Sequence, residues 1–392
     1  RHTIYWGNSL LAVGAINGFG GSMAALDFGK GLSVPGSEAK ELFLPSNKIS
    51  GVWQVSDNVT LNAFWNLQHE RNRVPQGGTY FAPITGLAED DEFITLLNAN
   101  TGGRPTDDDL EDGLRIGYKV DYGDRTEEDD IGFNVQYYFE PWALEMSFIY
   151  MNYVDKNLHG GNIAGDFVLL AQGLGLLPGA GPQPQEGWDQ EALIAGSGFW
   201  IFPDDIDLYG VSFAKEIAGI SFGLDIVYRE DAGLAQSLSA TLAQVYNVPA
   251  GFNETVEGFG FTPMLNADGT NMTEEQFFAR DSGSSTGPLG DTWSVVFNGV
   301  GLLTDNGFWE GGSYIFETTA SMLDQCNENC GVLDNRIKEE QVFWTVAGVF
   351  RPTWYQVWPG TDMTVPITFS YNFGDSEGDK SPFTFGGDGE GG

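Results

Sequence analysis

The sequence predicts an all-β fold, specifically a transmembrane antiparallel up-and-down β-barrel. Three observations carry that expectation: period-two alternation of apolar and polar residues, a short/long rhythm in the connections, and many aromatic rings beside few charges. Along residues 59–70, Val59, Leu61, Ala63, Trp65 and Leu67 share one face, while Thr60, Asn62, Asn66, Gln68 and Glu70 share the other, with Phe64 the exception. Successive side chains of a strand point to opposite faces, so this stretch reads as a strand with one greasy and one polar surface. The same pattern returns with Leu114, Ile116, Tyr118, Val120 and Tyr122, and with Ile131, Phe133, Val135, Tyr137 and Phe139. It returns again with Ile220, Phe222, Leu224, Ile226 and Tyr228, and near the end with Met363, Val365, Ile367, Phe369 and Tyr371.

Tight links at 56–58, 140–142, 216–219 and 359–362 hold residues that turns favour. Between the hairpins lie excursions at 75–112, 155–205, 230–291 and 318–340. A compact domain rarely holds several loops beyond ~15 residues. A membrane barrel does, because its periplasmic turns are short and its outer loops long. Strands of roughly 9 to 12 residues suffice to cross a tilted apolar band of ~25 Å. About twelve or thirteen strands are legible, which leads to an even total of roughly 14 to 18 in a full protein. Residues 1–392 are expected to be one barrel domain cut at both ends, starting inside a strand and stopping without a final aromatic strand.

Composition narrows the classes. With 18 Lys+Arg against 55 Asp+Glu, the formal charge is −37 at pH 7, which repels nucleic-acid phosphates. The 11 Trp, 14 Tyr and 28 Phe are too much apolar surface for a disordered chain. No stretch approaches the ~20 apolar residues of a membrane helix. Trp142, Tyr153, Trp293, Trp344, Trp354 and Trp358 fall near strand ends, where a ring would meet lipid headgroups. A soluble β-sandwich is the alternative. It would need the apolar faces to cover one another, and the polar faces hold few Lys and Glu for surfaces in bulk water.

The excursions concentrate acid, at Glu89–Asp91, Asp107–Asp112 and Glu127–Asp130. They read as a solvated rim. They could also hold Ca²⁺ or Mg²⁺ that bridges to lipopolysaccharide, with no residue assigned to a metal because the spacing is not that of an EF-hand. No other cofactor is expected. Thr273-Glu274-Glu275-Gln276 has the form of a capping box, and Leu234, Leu238, Leu242 and Val245 recur at helical spacing, so two loops are expected to contain helices. The segment 11–45 either plugs the lumen or lies outside it.

Little in the sequence looks catalytic. Gly-x-Ser-x-Gly occurs around Ser221, Ser285 and Ser376, but none has the strand-to-helix setting that a nucleophile elbow needs. His69 reads as an interfacial ring. The candidate site is a ladder of inward-phase charges taken as a group: Glu70, Arg115, Lys119, Asp121, Glu145, Asp225, Arg229 and Arg351. Such charges either pair across the lumen or set which solutes pass. Cys326 and Cys330 are the two cysteines, at a spacing that can close a small loop disulfide in an oxidising compartment. A zinc site would need two more soft ligands, and none lies nearby.

The string Arg1-His2-Thr3-Ile4-Tyr5-Trp6-Gly7-Asn8-Ser9-Leu10, then Leu32-Ser33-Val34-Pro35-Gly36-Ser37-Glu38, Lys40-Glu41-Leu42-Phe43-Leu44-Pro45 and Val52-Trp53-Gln54-Val55, resembles a proteobacterial outer-membrane family catalogued only as a domain of unknown function. The likeness is specific over residues 1–68 and diffuse beyond, with Pro382-Phe383 and Gly386-Gly387 adding to it. The resemblance implies an outer-membrane location and work with periplasmic lipoprotein-like and inner-membrane exporter partners on sterols, terpenoids or lipids. The function expected is therefore a non-enzymatic barrel, in contact with the lipid bilayer and lipopolysaccharide, that transports or hands over a hydrophobic or amphipathic small molecule. A general diffusion porin and a structural or adhesive surface barrel are the alternatives.

Overall fold

In the computed structural model, the described residues are 2–33, 37–76, 93–98, 115–121, 130–157, 160–173, 177–179, 183–184, 192–236, 243–258, 260–266, 268–278, 287–333, 337 and 342–373. Four short helices open the chain: α1 (Ala12–Asn17), α2 (Gly20–Met23), α3 (Phe28–Ser33) and α4 (Ala39–Leu42). Glu38 caps α4, with Glu41 returning to the Glu38 amide as a capping box. Residues 3–10, expected to lie inside a strand, form none; His2 alone bridges to Ser46.

The strands follow as β1 (Lys48–Ser56), β2 (Val59–Asn66), β3 (Phe93–Asn98), β4 (Arg115–Asp121), β5 (Ile131–Phe139), β6 (Leu144–Tyr153), β7 (Gly160–Asp166), β8 (Gln183–Pro184), β9 (Ala192–Ile201), β10 (Ile206–Ile217) and β11 (Ile220–Gly233). The later ones are β12 (Gln244–Tyr246), β13 (Thr262–Pro263), β14 (Leu289–Leu302), β15 (Gly311–Glu328), β16 (Val342–Trp358), β17 (Thr361–Thr364) and β18 (Ile367–Phe373). The excursions also carry α5 (Phe167–Gly173), α6 (Asn253–Gly258) and α7 (Glu274–Phe278). None of the described helices is long and apolar enough to cross a membrane, which says nothing of strands.

The main sheet has eleven strands in the order β1-β2-β5-β6-β10-β11-β14-β15-β16-β17, with β18 also on β16, and every pairing is antiparallel. It is open among the described residues, with β1 at one edge and β17 and β18 at the other. Two-residue turns join β1 to β2, β10 to β11 and β16 to β17, while a 3₁₀ turn (Glu140–Trp142) joins β5 to β6. An antiparallel meander puts all these turns at one end and every long connection at the other.

The long connections are not simple loops. A second, seven-stranded sheet ordered β13-β12-β7-β9-β4-β3, with β8 on β9, draws β3 and β4 from the connection between β2 and β5, β7 to β9 from that between β6 and β10, and β12 and β13 from that between β11 and β14. Of the stretch 114–122, expected in the barrel wall, the described residues 115–121 belong to this sheet, where β4 runs parallel to β9. Alternation identifies a strand but not its partner, and this strand pairs within the excursions. Two loop boundaries also move: β15 continues to Glu328, well inside the expected 318–340, and 230–291 loses its ends to β11 and β14. Leu234 and Val245 share no helix, since Val245 lies in β12, and 237–242 fall outside the described residues. The capping box does form: the Thr273 hydroxyl accepts from the Gln276 amide at 3.2 Å, and the Gln276 side chain accepts from the Thr273 amide at 2.9 Å.

Candidate functional site

Burial in the main sheet is inverted relative to a soluble protein. On β5, Phe133 is 53% exposed while its neighbour Asn134 is 1% exposed. The same reversal holds on the adjoining strands. Ser147, Ser212, Asp225, Arg229, Thr292, Ser294, Asn298, Glu317, Thr319 and Ser321 are buried, whereas Trp65, Phe148, Trp293, Phe297 and Trp344 are exposed; on the edge strands β1, β17 and β18 both faces are exposed. Polar groups leave water only when hydrogen-bonded, and large apolar groups are normally the ones covered. Among the described residues the side chains of Asn134 and Thr292 meet no hydrogen-bonding partner, whereas Asp225, Arg229, Asn298, Glu317 and Ser321 do.

For those five the partners include residues 8–18. Trp6 packs on Phe64 with ring centroids 5.2 Å apart, and Gly7 then turns the chain at φ +86°, a left-handed conformation suited to glycine. A Cβ there would stand 2.6 Å from the Asp225 carboxylate and 2.7 Å from Phe19. The turn aims Asn8 at the wall: its amide donates to Asp225 at 2.8 Å, and its side chain donates to Asp225 at 2.9 Å and to Ser212 at 2.7 Å. Asn298 donates in return to the Asn8 carbonyl. The Trp-Gly-Asn string of the sequence is thus a device for docking on Asp225.

The next contact is Glu317, fully buried on β15. Its carboxylate accepts from the amides of Leu10 at 2.7 Å, Leu11 at 3.1 Å and Gly14 at 2.7 Å, around the start of α1. A buried carboxylate needs such donors to offset its lost hydration. Gly14 leaves room for it, since a Cβ there would overlap the Glu317 carboxylate. At the other end of α1, Arg229 donates to the carbonyls of Gly18 at 2.7 Å and Asn17 at 3.2 Å, and to Tyr153 Oη at 3.2 Å. Positive charge beside terminal helix carbonyls and negative charge beside leading amides are both favourable. A further link is the 2.7 Å ion pair from Arg351 on β16 to Glu38. Hydrogen bonds from Lys40 and Arg351 hold Glu38 below the usual carboxylate range, although its partial burial pulls the other way.

The eight predicted ladder residues separate. Asp225, Arg229 and Arg351 converge on residues 2–46 of the chain, and neither Asp225 nor Arg229 takes the other as partner in the bonds above. Glu145 is exposed near the short turns, in phase with the inward Ser147. Glu70 lies beyond the end of β2 rather than in a strand, because the chain leaves the sheet after Asn66. Arg115, Lys119 and Asp121 are on β4 in the second sheet, away from the ladder they were expected to extend. Tyr153, expected at an outer boundary, is buried 3.2 Å from Arg229. His69 sits after β2 beside Phe202, with centroids 5.6 Å apart. A disulfide joins Cys326 to Cys330.

Two functional-looking features escaped sequence reasoning. Glu317 was hidden because it sits in Phe316-Glu317-Thr318, a strand portion the expected loop began to cut away. Asp130 was read as solvated acid, yet it is fully buried, 2.7 Å from the equally buried Lys156, and it also accepts from the Val154 amide at 2.9 Å. That pair closes the long-excursion end of β2, β5 and β6. Residues 89–91, 107–112 and 127–129, with Ser285 and Ser376, lie outside the described residues. Among the described residues no group of His, Cys, Asp and Glu could hold a metal ion.

The outer face carries an apolar hollow of about 500 Å³ lined by Phe133, Phe148, Val211, Ile226, Tyr228 and Trp293, among others. Comparison with known proteins finds that the family described as "Protein of unknown function (DUF1302)" matches residues 1–391. No curated protein matches the chain, and neither does any solved structure.

Proposed function

We propose, from the premise that the chain belongs to the DUF1302 family, that it is a bacterial outer-membrane β-barrel that transports or hands over a hydrophobic or amphipathic small molecule without catalysis. The observation that carries this is the inverted sheet, with Asn134, Asp225 and Glu317 buried while Phe133, Phe148 and Trp293 are exposed. In water such a surface costs free energy at every ring; facing lipid it does not. Short turns at one end and long excursions at the other suit periplasmic and outer ends respectively.

The apolar cargo is favoured by greasy patches inside as well as outside. Leu11 packs with Ile315, Ala347 and Val349 on the inner face, and Trp6 and Phe19 pack with Phe64, Ile149 and Met151. The resemblance of residues 1–68 to outer-membrane proteins that handle sterols, terpenoids or lipids points the same way, and it extends the proposal to periplasmic lipoprotein-like and inner-membrane exporter partners. On this reading the bilayer and lipopolysaccharide contact the outer face and rim.

The test is a comparison of unheated and boiled samples of outer-membrane extract by gel mobility, with lipids in the same sample identified by mass spectrometry. A heat-dependent shift with a co-purifying apolar ligand is the expected outcome. A shift without ligand would move the assignment to a general diffusion porin, and soluble protein without a shift would exclude the barrel.

A further inference from the structure

We infer that residues 2–33 and 37–46 are an autoinhibitory strap, held on the inner face of the sheet by polar clamps at Asp225, Arg229, Glu317 and Arg351, and that its release opens the path through the molecule. The inference rests on the barrel reading above and adds to it a closed resting state and named residues that keep it closed.

The geometry supports a part that moves as a unit. Ala15, Ala24, Leu26, Ala39, Leu42 and Phe43 form a hydrophobic cluster composed of strap residues alone. The Asp27 amide donates to the Leu42 carbonyl at 2.9 Å, and the Leu44 amide to the Ala25 carbonyl at 2.8 Å, tying the strap to itself. Its polar grip on the wall includes Asn8 on Asp225, Leu10, Leu11 and Gly14 on Glu317, Asn17 and Gly18 on Arg229, Asn17 on Ser321 and Glu38 on Arg351. Hydrogen bonds of this kind exchange for bonds to water when the two sides part, so each has a modest net worth although none can be left unmade in a dry site. The apolar contacts of Trp6, Phe19 and Leu11 with the wall add to the grip and are lost with it. A closed state built from exchangeable bonds is one that a ligand or partner can shift by favouring the open form.

Glu317 is the clamp to remove, because it takes three amides that no neighbouring wall group would replace. Glu317→Ala, and separately Gly14→Leu, which drives a side chain into the carboxylate position, should each raise ion conductance in planar bilayers by about tenfold or more, the loss expected for a buried charged hydrogen-bonding group. Asn8→Cys combined with Ser212→Cys, whose native side chains meet at 2.7 Å, should form a disulfide that suppresses conductance to or below the native level. Reductant should reverse this in the double variant and leave either single variant unchanged. Heat-modifiable migration of each variant reports that the wall is intact. Unaltered conductance in Glu317→Ala and Gly14→Leu with heat-modifiable walls would overturn the strap while sparing the barrel. Conductance that stays above the native level in cross-linked protein would overturn it too, even if Glu317→Ala does not assemble. Absence of heat-modifiable migration in the native protein would remove the barrel and the strap together.

Discussion

At the scale of single residues, the molecule is organised by charges that recognise main chain. Asp225 and Glu317 each take amides from the N-terminal segment, and Arg229 takes its carbonyls. This makes the conformations of the donors matter as much as their side chains. Gly7→Ala forces a Cβ into the left-handed region and against Asp225, and is expected to cost about 1–3 kcal/mol in urea unfolding followed by Trp fluorescence. Gly51→Ala is the matched control, since nothing lies within 4 Å of the new methyl, and its midpoint should stay put. Glu38 adds a pH dependence whose sign follows from its depressed pKa. A carboxyl held below its unfolded value contributes stability above that value and loses it as pH falls through the folded one. Acidification through the carboxylate range should therefore loosen the contact with Arg351, read as faster proteolysis of residues 2–46 at low pH. In Glu38→Gln that rise should be smaller; an unchanged profile would contradict the assignment.

At the scale of elements, the strands of the main sheet were the most legible part of the sequence, for a physical reason. A sheet whose two faces meet different surroundings must alternate at every step, so Ile131, Phe133 and Val135 face one way and Gly132 and Asn134 the other, as expected from sequence. The partner of a strand is not written in its alternation, and β4 pairs in the second sheet and not in the wall expected from sequence. Nor does alternation show what meets the polar side, so Arg229 could be listed with the ladder but not matched to Gly18. Helical spacing failed at Val245 because a short parallel pairing with Gly165 took over. The alternation itself makes a prediction. Phe133→Arg should destabilise the assembled protein by up to roughly 2–4 kcal/mol, the depth-dependent cost of a cation on a lipid-facing strand position. In a soluble sheet, where Phe133 would face water, the same change should be near neutral, and that result would count against the membrane assignment.

At the scale of the whole molecule, three layers of information differ in how far sequence reaches them. The rhythm of short and long connections located the hairpins. The second sheet was out of reach, because strands drawn from three separate excursions assemble it. The N-terminal segment lay between these extremes: its motif was visible, and its docking on Asp225 was not. The sheet wraps that segment on its polar side and presents rings on the other, and the claim on which everything else depends is that those rings meet lipid. The described cysteines are both in the disulfide, so an added cysteine can be labelled selectively. The most direct measurement is a scan of single labelled cysteines at each position of β5, Ile131 to Phe139, in liposomes, with fluorescence quenching by lipid-borne nitroxides. Strong quenching at 131, 133 and 135 and weak quenching at 132, 134 and 136 is the result the account predicts; uniform quenching by a water-soluble quencher at the odd positions would contradict it.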